Sequence, residues 1–400
     1  MGKCHTENRN NSSLNHGTGE QRMHMTMDAL LSLLRSVLKN ENIPQIKLTT
    51  ELIAFCSSQQ LIGFLYYGIR NQEEKYSAQL ISAVRQRYMA SVTQQIQQDY
   101  YRDEIFKQLR NAQIPYMPLK GELLRHLYPL PYLRFSCDVD FLYPQKYREQ
   151  VNSILKKFGF EHIKRESTND SFMQGAVHIE PHFALNDQVE QYETYYADVW
   201  SHLHSGDGLL FYFTDEDFYI NYLLHTYKHF ILGGAGIRSV IDVWLFRKAH
   251  PSMDEEYLRS EFQQLEINNF VQQYERLGRV WFEEEIGDSD TILLSKYLFD
   301  GGAYGTLEQG ASIQLLQTGN KRTTRFRYFW NRVFLPYALL RRQYPVLKKL
   351  PILMPFCQVA RWLRVAFSKD RQHIYRDMAI GAEIDKQNQD DLRRVWEIIR

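Results

Sequence analysis

Apolar residues recur at helical spacing from Met25 to Leu38, with Asp28 near the start, and this pattern predicts an opening helix. Residues 75–111 form a long, Gln-rich stretch without Pro or Gly, also predicted to be helical. Between 114 and 184 the period shortens. Short apolar or alternating runs at 114–119, 137–143, 159–164 and 176–184 predict strands. Tyr147 to Gly159 predicts a helix closed by its C-terminal glycine. Beyond 214 the helical period returns at 215–230, 237–249 and 254–285. There Thr214, followed by Asp215, Glu216 and Asp217, makes a good N-terminal cap with acids in the first turn. The whole pattern predicts an α+β chain, a small mixed β-sheet core with helices flanked by helical N- and C-terminal regions. The expected bounds are a disordered tail at 1–25, a helical lead-in at 26–112, the core at 113–213, a helical region packing on it at 214–310, and a basic, mostly helical region at 311–400. The uncharged run Leu52–Ile69 is 18 residues long but carries Ser57, Ser58, Gln59 and Gln60 at its centre, which predicts buried helices rather than a membrane span.

The strand predicted at 137–143 holds the chemistry. Side chains at i and i+2 of a strand share a face, so Asp138 and Asp140 project together while Val139 and Phe141 turn toward the core. Two carboxylates on one face repel unless a cation lies between them, and hard, oxygen-ligated Mg²⁺ is the usual occupant beside a nucleoside triphosphate. A turn-flanking acidic pair is the plainer reading of the same residues. Upstream, Gly121 follows the apolar run Ile114–Leu119, where a missing side chain lets the backbone approach phosphate oxygens, and Lys120 adds a point charge. Phosphate cradle, cation site and carboxylates together make up what phosphoryl or nucleotidyl transfer requires.

In order and spacing, Leu119-Lys120-Gly121, Tyr128-Pro129-Leu130-Pro131, Arg134 and Asp138-Val139-Asp140 resemble the uncharacterised nucleotidyltransferases, a group within the nucleotidyltransferase superfamily. The likeness covers roughly residues 48–250. It implies a strand, a Gly turn, a helix and an acidic strand in succession, within a nucleotidyltransferase core. It also places Val177–Leu185, VHIEPHFAL, as a later strand whose acid joins Asp138 and Asp140. The resemblance therefore implies a catalytic set of Asp138, Asp140 and Glu180, with Asp138 and Asp140 on Mg²⁺ and Glu180 orienting or deprotonating an attacking hydroxyl. It implies a nucleotide-binding set of Lys120, Gly121, Arg134, Ser136, His182 and Arg238, and a transfer from a nucleoside triphosphate (ATP or another) to an unidentified hydroxyl acceptor. The chain departs from the superfamily pattern at Glu122, where better-studied members carry Ser or Gly. Phosphate binding would then rest on Lys120 and backbone amides. A carboxylate beside a triphosphate favours the alternatives, an inactive nucleotide- or partner-binding protein with this fold, or an interaction protein acting through its basic tail.

Several residues have structural readings. Arg134 suits a phosphate clamp or a partner carboxylate equally. Arg238 and Asp242, one helical turn apart, can bridge each other. His178, Glu180 and His182 alternate on one strand face, and His225 and His229 sit one turn apart, so a transition-metal site competes with the carboxylate reading. Without that site, His225 and His229 read as packing residues.

Composition narrows the setting. At 400 residues and 44% hydrophobic the chain can bury a large core. Cys4, Cys56, Cys137 and Cys357 are scattered without metal spacing, and no signal-peptide core precedes them, which predicts a reducing, cytoplasmic location without a transmembrane segment. The net charge of +1 conceals an asymmetry: Lys321–Lys369 holds 12 Lys or Arg and no Asp or Glu, leaving a net of −11 elsewhere. Interleaved with Tyr328, Phe329 and Trp330, that segment fits nucleic acid, an anionic membrane surface or the acidic body of the chain itself.

Overall fold

The computed structural model describes residues 16–185, 190–232, 234–301, 334, 335, 337, 340, 341, 344–367 and 386–400. Helices begin where the sequence supplies caps. The Thr49 hydroxyl accepts from the Leu52 amide at 3.2 Å to open α2 (Thr50–Ser58). Ser77 opens α4 (Ala78–Asn111), and Thr214 accepts from the Asp217 amide at 3.1 Å to open α8 (Asp215–Leu232). The uncharged run is two helices, α2 and α3 (Ile62–Ile69), broken where Gln60 takes a left-handed φ of 58°. Buried Gln59 donates to the carbonyls of Leu298 and Phe299 and accepts from the Ile237 amide, which fixes this break against the distant helices. Among the described residues no helix is long and apolar enough to cross a membrane.

Five strands make one mixed sheet: β1 (Met117–Pro118), β2 (Val139–Leu142), β3 (Glu161–Arg165), β4 (Asp170–Gln174) and β5 (Val177–His182), in the order β1-β2-β5-β4-β3. β2 and β5 run parallel and the other pairs antiparallel. Alternation decides the two faces. Phe141, Phe172, Val177 and Ile179 are buried with Ile105, Phe106 and Leu109 of α4 and Val151 and Leu155 of α6 (Arg148–Lys157). Gly159, at φ 86°, ends α6 as the sequence predicts, its amide returning to the Lys156 carbonyl. The opposite face of β2 and β5 looks toward α8 and α9 (Ile237–Ala249).

A larger helical core joins α1 (His16–Lys39), α3, α8, α9, α10 (Glu255–Gln264), α11 (Asn268–Phe282), α12 (Ser289–Asp300) and the terminal helix Lys386–Ile399. A short ribbon, β6 (His204–Ser205) with β7 (Phe211–Tyr212), and the small α7 (Glu190–Tyr195) link the two halves. The result is a mostly helical α+β fold around a five-stranded mixed sheet.

Four elements differ from the pattern reading. α1 starts at His16, inside the stretch read as tail. The run 254–285 divides into α10 and α11 at Glu266, which adopts a φ of 54° without the glycine that usually announces such a break. The helix expected after Gly121 is only α5 (Gly121–Leu124), followed by 3₁₀ turns at Arg125–Leu127 and Pro131–Leu133, because Pro129 and Pro131 deny a helix its amide donors. β4 went unanticipated. Of Lys321–Lys369, residues 321–333 and 368–369 lie outside the described residues, with Arg325, Arg327, Tyr328, Phe329, Trp330 and Arg332 among them, as does Arg342. The described remainder holds α13 (Met354–Phe367).

Candidate functional site

The parallel pairing of β2 with β5 sets Asp140 directly opposite Glu180, and the two-residue period adds Asp138, His178 and His182 to the same face. This face is one wall of a cleft of about 380 Å³. The Gly121 turn forms a second wall with Lys120, Arg134 and Ser136, and α8 and α9 close it with His225, Lys228, His229 and Arg238. All nine residues named from the sequence, Lys120, Gly121, Arg134, Ser136, Asp138, Asp140, Glu180, His182 and Arg238, line this one cleft.

Three carboxylates crowd together here. Burial, then the Asp140 and Asp138 charges, push the Glu180 carboxyl up to about 8. Burial and the neighbouring Asp140 raise Asp138 as well, which its hydrogen bond from Ser136 Oγ at 3.1 Å opposes. Burial works against ionisation at Asp140 too, yet His182, with Nε2 at 3.4 Å from Oδ1, holds that carboxyl below its usual range. Ligand atoms of Asp140, Glu180 and His182 lie within 4.8 Å of one another, and so do those of Asp138, His178 and Glu180. Oxygen donors dominate both groups, a donor set suited to a hard divalent cation and less so to a thiolate- or imidazole-seeking one.

Opposite them stands Lys120. Its Nζ is 2.7 Å from Nδ1 of His225, and because an ammonium only donates, Nδ1 must be the acceptor and His225 a neutral ring. Burial pushes Lys120 down to about 8, against the pull of Asp140, and burial followed by the Lys120 charge drives His225 well below its ordinary range. His229 packs edge-on to His225, centroids 4.3 Å apart, and burial lowers it to about 3. Both rings therefore belong to the cleft wall, and His225 anchors Lys120, rather than the two being mere helix packing. Because Lys120 occupies His225, that ring is not a partner of His178, Glu180 and His182 in a shared metal set.

Arg134 is committed elsewhere. Its guanidinium grips Asp242 in two bonds, Nε to Oδ1 at 2.7 Å and Nη2 to Oδ2 at 2.9 Å, and both residues are buried. The hydroxyls of Tyr128 and Tyr222 each donate to the same carboxylate at 2.7 Å. Arg134 Nη1 then reaches the Gly121 carbonyl at 3.3 Å, so its work is to hold the turn. Asp242 is thus engaged by Arg134, not only by its helical neighbour. Arg238 instead donates to the Phe135 carbonyl at 2.6 Å and to Gln60, bracing the loop that enters β2. Gly121 is needed in this frame: a Cβ there would lie 3.2 Å from Ser136 Oγ and 3.4 Å from Arg134 Nη1.

Glu122 points the other way. It pairs with Arg102 at 2.5 Å and with Arg125 at 3.0 Å, and Asp99 completes the group by pairing with both arginines at 2.9 and 2.6 Å. The charge that sits badly beside a triphosphate is neutralised by Arg102 and Arg125, and Glu122 lines a smaller cavity shared with Gly121, Ser136, Asp138 and Asp140 rather than the large cleft. Several further lining residues escaped the sequence reading, Asn169, Glu166 and Lys228 among them. Asn169 extends Nδ2 to Glu180 Oε2 at 3.4 Å from the β3–β4 connection, and Glu166 and Lys228 also face the space. Their only sequence signal was Lys228 falling on the same helix turn as His225 and His229.

With this geometry established, the comparisons define the class. The model of the uncharacterised nucleotidyltransferase family matches residues 48–283. The chain belongs to that family. The match continues past 250, where the resemblance read from the sequence fades, to the end of α11. Among solved structures, the solution structure of the antibiotic-resistance factor ANT(2'')-Ia is similar over 40% of this chain and 88% of that one, at 12% identity and a TM-score of 0.30. No curated protein matches the chain.

Proposed function

We propose that this protein is a divalent-cation-dependent nucleotidyltransferase that moves a nucleoside monophosphate from a nucleoside triphosphate to a hydroxyl acceptor. The observation that carries the reading is the convergence of Asp138, Asp140 and Glu180 on one sheet face, opposite buried Lys120, in a cleft of about 380 Å³. Asp138 and Asp140 would hold the cation, Mg²⁺ being the one their oxygen donors suit. When bound, it neutralises charge on the triphosphate and the developing pyrophosphate. Glu180, raised to about 8 by burial and by the Asp140 and Asp138 charges, would ionise more readily with those charges balanced by a bound cation.

The chain's own residues supply the remainder. Lys120, aimed by neutral His225 and with its charge favoured by the facing Asp140, Asp138 and Glu180, binds phosphate oxygens. Lys228 and Arg238 extend that positive wall along α8 and α9, and Ser136 steadies Asp138. Glu180 orients the acceptor hydroxyl and takes its proton as oxygen attacks the α-phosphorus and pyrophosphate departs. His182 fixes Asp140, and Asn169 fixes Glu180. Arg134 acts through the turn it holds. The direct test incubates the protein with each nucleoside triphosphate labelled at the α-phosphorus, with Mg²⁺ and pooled hydroxyl acceptors. Transfer of label that disappears in Asp140→Asn is expected. Cation-independent nucleotide binding without any transfer would favour an inactive binding protein instead.

A further inference from the structure

We propose that the segment from Tyr344 to Arg364 is a membrane-surface anchor that lays one face of α13 onto an anionic lipid bilayer. The proposal is independent of the catalytic reading and rests on how this short unit divides its side chains.

One face of α13 is used internally. Met354 and Cys357, with Leu353 just before the helix, pack against Leu340 and Leu347. Gln358 Nε2 donates to the Leu335 carbonyl at 2.6 Å, and the Tyr337 hydroxyl to the Leu347 carbonyl at 2.7 Å. The other face is apolar and bare. Ile352 is 82% exposed and Phe356 72%, and Val359 and Leu363 are about half exposed. Phe356, Val359 and Leu363, at i, i+3 and i+7, form a stripe along the helix, and Ile352 extends the row from the 3₁₀ turn before it. Single exposed apolar residues need no explanation, but an aligned row of four does.

Charge identifies the occupant. Lys349 and Arg364 are exposed in the same short unit, and Lys321–Lys369 has 12 cations and no acid. The Arg341 and Arg364 guanidinium groups also sit over the Tyr337 and Tyr344 rings, at 6.0 and 5.3 Å. Neutralising the acidic body of the chain would use the cations and leave the stripe in water. Nucleic acid would likewise use the cations and could stack on Phe356 alone, but Ile352, Val359 and Leu363 offer bases no stacking surface and would stay in water. A second copy would cover the stripe only by bringing two basic segments together without an acid in either. An anionic bilayer meets both demands, since its headgroups take the cations and its acyl boundary takes the stripe. A helix of 14 residues is about 21 Å long, too short to span the roughly 30 Å hydrocarbon core, so it lies in the plane of the surface.

The test uses the full chain and sucrose-loaded vesicles of phosphatidylcholine, with and without phosphatidylserine. Two variants accompany it: Phe356→Ser with Leu363→Ser, and Lys349→Glu with Arg364→Glu. Wild type should sediment with the phosphatidylserine vesicles and not with neutral ones, and binding should weaken as salt rises. Each variant should reduce the partition coefficient about tenfold or more while circular dichroism stays unchanged, because the altered positions are at the surface. No sedimentation of wild type, or serine variants that bind like wild type, would overturn the proposal. So would loss of a dimer in light scattering for the serine variants with vesicle binding intact, which would assign the stripe to a second copy. Loss of RNA binding confined to the charge variants, without any vesicle binding by wild type, would assign the segment to nucleic acid.

Discussion

Replacing Asp242 with Asn is the most informative perturbation of the frame beneath the site. Asp242 is 1% exposed and accepts four hydrogen bonds, two from Arg134 and one each from Tyr128 and Tyr222. Asparagine keeps the shape but loses the charge, and its amide end presents hydrogens where the guanidinium also presents hydrogens. Arg134, 4% exposed, is left as a buried cation without its counter-charge. Breaking a buried pair in this way costs about 3–5 kcal/mol. Against a total stability of roughly 5–15 kcal/mol, that is a large share. Arg134→Met should cost a comparable amount by stranding the carboxylate. The double variant Arg134→Met with Asp242→Leu should cost less than the sum of the two, with a coupling of about 2–3 kcal/mol, because neither charge is then orphaned. Urea unfolding followed by tryptophan fluorescence measures all three. Nucleotide affinity should stay low in the double variant despite its recovered stability, since the bond from Arg134 to the Gly121 carbonyl is gone. Single variants costing less than about 1 kcal/mol, or a double variant equal to their sum, would refute the reasoning.

Asp138→Asn and Asp140→Asn should each abolish cation-dependent triphosphate binding in calorimetry. The first should leave the melting temperature unchanged or raised because it relieves carboxylate crowding, and the second should lower it, because the fold holds Asp140 ionised against His182. Glu180→Gln should leave nucleotide affinity nearly intact and reduce turnover by roughly two to four orders of magnitude, and turnover within about threefold of wild type would make Glu180 structural. Lys228→Met should raise KM for the nucleotide about tenfold with kcat little changed, as expected for a contact made equally in ground and transition states. An unchanged KM in steady-state assays would remove Lys228 from the phosphate wall.

Local rules carried the sequence reading far at β2 and β5. The alternation of Asp138 and Asp140, and of His178, Glu180 and His182, is a two-residue period that survives any tertiary detail. The Thr214 cap and the Gly159 stop are equally local. What remained hidden depended on distance. Asp242 was read against Arg238, four residues away, whereas the structure also engages it with Arg134, 108 positions upstream. Glu122 looked hostile to a phosphate because nothing local reveals Arg102 and Arg125 behind it. β4 reads as DSFMQ, too polar for a core strand, and Asp170 is tolerated there because Arg148 clasps it at 2.7 and 2.8 Å with His162 at 3.1 Å. His225 carried no signal of its own, because its role exists only once α8 lies across Lys120.

The bond between Lys120 and His225 also has a temporal side. The partners are 105 positions apart, and Arg134 waits 108 for Asp242. A ribosome adding roughly 5–20 residues per second needs about 5–20 s to make the second half of each pair after the first. During that interval the acidic strands can assemble on α4 and α6, but the lysine has no anchor and the turn no brace. The cleft is consequently completed late in the synthesis of the family-matched region, and a chain stalled before Asp242 would hold its carboxylates without the opposing wall.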